Sequence, residues 1–203
     1  MQVWREIEAS IPDESVPVWA GEEMKLAYSD PPYPGQAKRH YKNDPSGILA
    51  EEVDHKELIE RLLREYDGWA LSTNEPGIEF IKDLFPKRFF KKNGIRIAPW
   101  VKPFCSWKPT HRVQYCWEAV IYKPVREKGH RGVASTRDYV VANITMRKGT
   151  HGAKPDAFCN WILNLIGYQP EDTLDDLYPG TGAMGEAVKR WKPVAPNKKK
   201  EKQ

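Results

Sequence analysis

Asp30, Pro31, Pro32 and Tyr33 bring an acid, two rigid imino acids and an aromatic ring together at the end of a hydrophobic run, within SDPPYPGQAKRHYKNDPSG at residues 29–47. A carboxylate accepts hydrogen bonds, prolines fix the backbone beside it, and a phenol ring offers a flat apolar face. Such a set suits the rim of a pocket that handles a planar substrate, although proline and glycine punctuate ordinary turns as well. A second candidate lies near the other end of the chain, where DLYPGTGAMG puts Gly180, Gly182 and Gly185 directly after a predicted strand. Glycine lets the backbone turn tightly and lets a ligand come close. A helix beginning near Gly182 would aim its free amides at polar atoms of that ligand. The spacing is neither the P-loop, since no Lys-Ser/Thr follows, nor the usual dinucleotide fingerprint. It points to a nucleoside-type cofactor, with a turn that merely needs glycine as the plain alternative.

Both turns need elements to hold them. MKLAYSD predicts a short strand ending at Asp30. From Val53 to Tyr66, the residues Leu58, Ile59, Leu62, Leu63 and Tyr66 share one helical stripe with charges opposite. GWALSTN reads as a strand opened by Gly68 and closed by Asn74, and PGIEFIKDLF as a helix starting near Pro76. GIRIAPWVKP and YCWEAVIYKP are two more strands, while STRDYVVANI fits either a strand or irregular structure. KPDAFCNWILNLIG predicts a helix with Pro155 in its first turn, Phe158, Ile162 and Leu165 aligned, and Gly167 as its stop. DTLDDLYPGTGAMGEAVKRW reads as strand, glycine turn and helix. This alternation predicts an α/β sandwich with a mostly parallel sheet. Ligands gather at the carboxyl ends of such strands, where Asp30, Asn74 and the DLYPGTG turn would lie.

The bulk numbers set the frame. A chain of 203 residues, 30% charged and 40% hydrophobic, forms one substantial core. The expected organisation is an irregular segment at 1–23, one domain at 24–191 and a basic flexible tail at 192–203. A net charge of +4 is compatible with a phosphate-bearing partner. Cys105, Cys116 and Cys159 form no close metal-like pair, so reduced thiols and no metal are expected. No apolar run is long enough to cross a bilayer, which predicts a cytoplasmic protein with no membrane partner.

DPPY at Asp30 to Tyr33, taken with DLYPGTG at Asp176 to Gly182, resembles the S-adenosylmethionine-dependent methyltransferases that act on adenine N6 or cytosine N4 in DNA. The order, catalytic motif before cofactor glycines, is similar to the permuted arrangement called the beta class. HGAKPDAFCNWILNLIG resembles the His-x-x-Lys-Pro opening of that family's helix before the cofactor strand, through His151, Lys154 and Pro155. WEAVIYKP resembles its late strand, an aromatic followed by Glu, through Trp117 and Glu118. KPDAF is also similar to the MT-A70 type of RNA adenosine methyltransferase, which carries Trp where this chain has Tyr33. The likeness covers roughly residues 24 to 190.

The resemblance implies a Rossmann-like fold, S-adenosyl-L-methionine as cofactor and methyl transfer to the amine of a flipped base, with the Asp of DPPY favouring adenine N6. Asp30 would accept a hydrogen bond from the amine, a carbonyl near Pro31 or Pro32 would take the other N–H, and Tyr33 would stack on the extruded base. The implied cofactor residues are Asp176, Tyr178, Gly180, Gly182, Lys154, His151 and Asn74. Glu118 is either a supporting partner or a plain strand-edge acid. Lys38, Arg39 and Lys42 would clamp phosphates, and Trp107, Lys108 and Arg112 would contact an unstacked base. DNA is the expected partner, with RNA, a second copy or an accessory specificity subunit as alternatives.

Two departures stand out. The family continues past its glycines with a strand ending in a ribose-binding acid. Here the helix GAMGEAVKRW runs directly into KPVAPNKKKEKQ, which predicts a sheet shortened on its cofactor side. Asp44, Glu51, a basic or amide group from the 126–151 segment, or a partner subunit would then supply ribose contacts. The segment 123–153 is also short for a target recognition domain. Both departures keep open a catalytically inactive, methyltransferase-like protein that binds nucleic acid or regulates.

Overall fold

The computed structural model describes residues 6, 23–35, 53–104, 108–125, 135–145 and 153–192. Within them the strands are β1 (Lys25–Ser29), β2 (Gly68–Thr73), β3 (Arg96–Val101), β4 (Trp117–Lys123), β5 (Val140–Val141) and β6 (Thr173–Asp176). The helices are α1 (His55–Glu65), α2 (Glu75–Asp83), α3 (Phe89–Lys92), α4 (Asp156–Ile166) and α5 (Ala183–Arg190). The strands form one sheet in the order β5-β3-β4-β2-β1-β6.

Strand β1 lies parallel to β2 and β6, and β3 lies parallel to β5, but β4 is antiparallel to both its neighbours, β2 and β3. Five of the six strands thus run the same way, as expected of a mostly parallel sheet, and β4 alone runs against them, which makes the sheet mixed. Among the described residues no helix lies between β3 and β4, and the two strands pair antiparallel. Strand β6 closes one side of the sheet among the described residues.

Side-chain alternation along the strands feeds two cores. Leu26 and Tyr28 point to one face with Ala70, Trp100, Val120 and Tyr122. Ala27, Trp69, Leu71 and Ile121 point to the other. Helix α1 covers the second face with the predicted stripe, since Leu58, Ile59, Leu62, Leu63 and the following Tyr66 are all buried. Asp54 caps it, accepting from Lys56 N at 2.9 Å and Glu57 N at 3.1 Å. Helix α4 covers the first face through Phe158, Ile162 and Leu165, together with Trp161 and Ile166. It ends at Gly167, whose φ of +81° only glycine adopts without strain.

Two aspartates fix the amino end of β1. Asp172 accepts from Met24 N at 3.0 Å and Gln169 N at 2.7 Å, while Asp67 accepts from Lys25 N at 2.8 Å. They pin β1 between β6 and β2, and so set where Asp30 emerges relative to both. No helix of the described residues is long and apolar enough to cross a membrane.

Candidate functional site

Because β1, β2 and β6 run the same way, their carboxyl ends open side by side. Tyr28 lies opposite Asp176 in the β1–β6 register, and Leu177 N donates to Tyr28 O at 2.9 Å. The DPPY segment and the glycine turn therefore leave the sheet as neighbours. Strand β4 runs backwards, so its first residues, including Glu118, reach this same end.

Four charges meet there. Lys154, just before α4, places Nζ 2.7 Å from Asp30 Oδ2 and 3.9 Å from Glu118 Oε2. Lys102, just after β3, places Nζ 2.7 Å from Glu118 Oε1. Tyr33 donates its hydroxyl to Glu118 Oε2 at 2.7 Å. The rings of Trp100 and Phe158 lie beneath, with Lys154 Nζ 5.7 and 5.9 Å from their centroids. Both are faces that favour a cation.

These contacts order the titrations. Burial pushes the Asp30 carboxyl above its ordinary range, and the Lys154 charge opposes that rise without cancelling it. Burial pushes Glu118 up as well, yet Lys154, Lys102 and the hydrogen bonds from Lys102 and Tyr33 outweigh it and hold Glu118 low. Glu118 has two lysines where Asp30 has one. Burial, followed by the Glu118 charge, lifts the Tyr33 phenol well above its usual range, so it remains a donor. Ser72 hydrogen-bonds Asp30, and its Oγ lies 3.0 Å from the Tyr28 hydroxyl. When Asp30 is ionised it only accepts, and Ser72 is then its donor.

The glycine turn is built differently. Gly180 and Gly182 have φ values of +46° and +74°, which L side chains rarely adopt. Nothing lies within 4 Å of where a Cβ on Gly182 would stand. Strain requires glycine here and leaves open space beside the backbone. Asp176, which leads into the turn, has its Oδ1 buried with no hydrogen-bond partner in the structure. Burial raises its pKa to about 6, against a backbone hydrogen bond from Tyr178 and with a further push from the Asp30 charge. An orphaned buried carboxylate oxygen beside an open glycine turn suits a ligand that brings a cation or an N–H donor.

Sequence reading placed several other residues at this site. Asn74 caps α2, accepting from Gly77 N at 2.9 Å, which engages its amide oxygen. A Cβ on Gly77 would collide with Thr73 Oγ1, which holds that corner closed. Tyr178 is half-buried and packs against the α1 side of the sheet. Lys108 and Arg112 are exposed on the β3–β4 connection. His151, Lys38, Arg39, Lys42 and Trp107 lie outside the described residues. Lys102 and Tyr28 escaped notice in the sequence. Pairing β3 with β4 in register, Trp100 opposite Glu118, is the signal that brings Lys102 within reach of that acid.

No family model matches the sequence, and no curated protein matches it. Solved structures do share the fold. The crystal structure of the M1.HpyAVI–SAM complex superposes with a TM-score of 0.52 at 18% identity, over 83% of this chain and 78% of that one. The crystal structure of M1.HpyAVI alone gives 0.50 at 18% identity, over 83% and 77%. The chain thus has a mixed α/β fold related to that of a protein crystallised with SAM.

Proposed function

We propose that this chain transfers a methyl group from S-adenosyl-L-methionine to the exocyclic amine of a flipped base, adenine N6 in DNA. One observation carries the proposal: the carboxyl ends of β1 and β6 are adjacent, so Asp30 and the Asp176–Gly182 turn border one region. The likeness in fold to the M1.HpyAVI–SAM complex supports the same cofactor.

The residues fit that cofactor at its amino acid end. Asp176 Oδ1 offers a buried acceptor to an ammonium, and the Gly180–Gly182 backbone leaves room beside it. When bound, S-adenosyl-L-methionine supplies an electrophilic methyl group on a sulfonium. The remaining work belongs to the chain. An exocyclic amine is a weak nucleophile because its lone pair is delocalised into the ring. Asp30 accepts one amine N–H and a carbonyl of the Pro31–Pro32 segment accepts the other, which favours a pyramidal nitrogen with a directed lone pair. That arrangement supplies orientation, and charge stabilisation as the nitrogen becomes positive. The proton leaves after transfer, so no strong base is needed beforehand. Tyr33 stacks on the base, its hydroxyl held by Glu118 at 2.7 Å.

The second reading is a scaffold that binds nucleic acid without turnover. The 2.7 Å pair between Asp30 and Lys154 favours it, since the acceptor is already engaged. Incubation with labelled S-adenosyl-L-methionine and mixed-sequence DNA or RNA, followed by nucleoside analysis, separates the two. Asp30→Ala should abolish transfer while keeping much of the cofactor affinity measured by calorimetry. Label in the nucleic acid that survives Asp30→Ala would remove Asp30 from the mechanism.

A further inference from the structure

The connection from β3 to β4 opens beside Asp30 and Glu118, and its composition is unusual. No Asp or Glu occurs between Leu84 and Trp117. Within the connection and at its far end, Phe104 and Tyr115 are each 53% exposed and Trp117 is 40% exposed. Single exposed apolar residues are ordinary, but three large rings within fourteen residues, set among Lys108, His111 and Arg112, form a pattern. Lys108 Nζ lies 5.2 Å from the Tyr115 ring centroid, so cation and ring are presented together.

The described part of the connection, Phe104 and residues 108–116, is also pre-shaped. Gln114 grips it from within: its Oε1 accepts from Lys108 N at 2.8 Å, and its Nε2 donates to Lys108 O at 3.0 Å and to His111 O. Asn143 fixes the other end by accepting from Phe104 N at 3.1 Å. A backbone held this way loses little freedom on meeting a partner.

We infer that Phe104, Lys108, Arg112, Tyr115 and Trp117 form a docking surface for unpaired DNA, the strand that flanks a base entering the site. Aromatic faces accept stacked bases of any sequence, and cations on a stretch that carries no acid of its own follow the phosphates. Duplex DNA hides its base faces in its own stack, so the rings select single-stranded over paired DNA. The inference rests on the methyl-transfer reading for its placement, but its test does not.

The test uses the full chain and fluorescence anisotropy with a labelled oligothymidylate and a duplex of equal length. The single strand should bind about tenfold more tightly than the duplex. Tyr115→Ala should weaken single-strand binding about tenfold, leave duplex binding unchanged, and preserve the circular dichroism spectrum, while Tyr115→Phe retains the affinity. Joint replacement of Lys108 and Arg112 by Ala should lower the slope of log affinity against log salt by about 1.4. Equal or stronger duplex binding, or single-strand affinity indifferent to Tyr115→Ala, overturns the surface. Calorimetry with S-adenosyl-L-methionine on the same proteins keeps the failures apart: lost cofactor binding with intact strand binding counts against methyl transfer, and the reverse counts against the surface.

Discussion

The ammonium of Lys154 stands 2.7 Å from the Asp30 carboxylate and 3.9 Å from that of Glu118. One cation from the start of a helix thus serves two acids whose strands, β1 and β4, are separated by β2. Removing it leaves Asp30 enclosed without its countercharge.

Lys154→Met should cost about 2 kcal/mol of stability in urea unfolding near neutral pH, less than for a fully enclosed pair because the Asp30 side chain keeps 21% exposure. Burial already raises the Asp30 pKa, so the ionised form opposes folding above the unfolded pKa and the neutral form does not. The deficit of the variant should therefore shrink as pH falls through the raised Asp30 pKa. A deficit that holds constant from neutral to acidic pH would mean that the lost charge pair is not its source.

Asp176 predicts a pH effect on ligand binding. Its pKa is raised to about 6 from 3.8, chiefly by burial. With the folded value above the unfolded one, the ionised group opposes folding, and this opposition fades as pH drops from about 6 towards 3.8. A cationic ligand needs the ionised form. The affinity for S-adenosyl-L-methionine, followed by calorimetry, should accordingly weaken as pH falls through about 6. Asp176→Asn should flatten that profile and should be stabilised over wild type more at high pH than at low. An unaltered profile in the variant would assign the titration to another group.

Gly182→Ala separates backbone strain from ligand clearance. With φ at +74° and nothing near the added Cβ, the substitution should cost about 1 kcal/mol in stability through conformation alone. If the open side of the turn is where the cofactor lies, its affinity should fall by more than tenfold at temperatures where the variant remains folded. Full affinity in Gly182→Ala would move the cofactor away from this turn.

Much of the scaffold was legible because it is periodic. The stripe Leu58, Ile59, Leu62, Leu63 fixes α1, and Pro155 with Gly167 brackets α4, since both signals are local along the chain. The adjacency of the DPPY segment and the glycine turn followed from the general behaviour of strand ends in α/β sheets. The direction of β4 did not follow, because pairing direction depends on how the intervening chain returns. Nor did the network around Glu118. Lys102 precedes a proline at a strand end, and such a lysine reads as a solvated surface residue. Only the β3–β4 register brings it to the acid. Strand β5 is two residues long, too short for alternation to register.

Strand β4 enters the sheet at the edge where β1, β2 and β3 end, with Glu118 as its second residue. The chain between β3 and β4 therefore leaves and rejoins the sheet on the side of Asp30, not on the far side. Altering its length would change what can approach that side without moving the strands that carry Asp30 and Glu118.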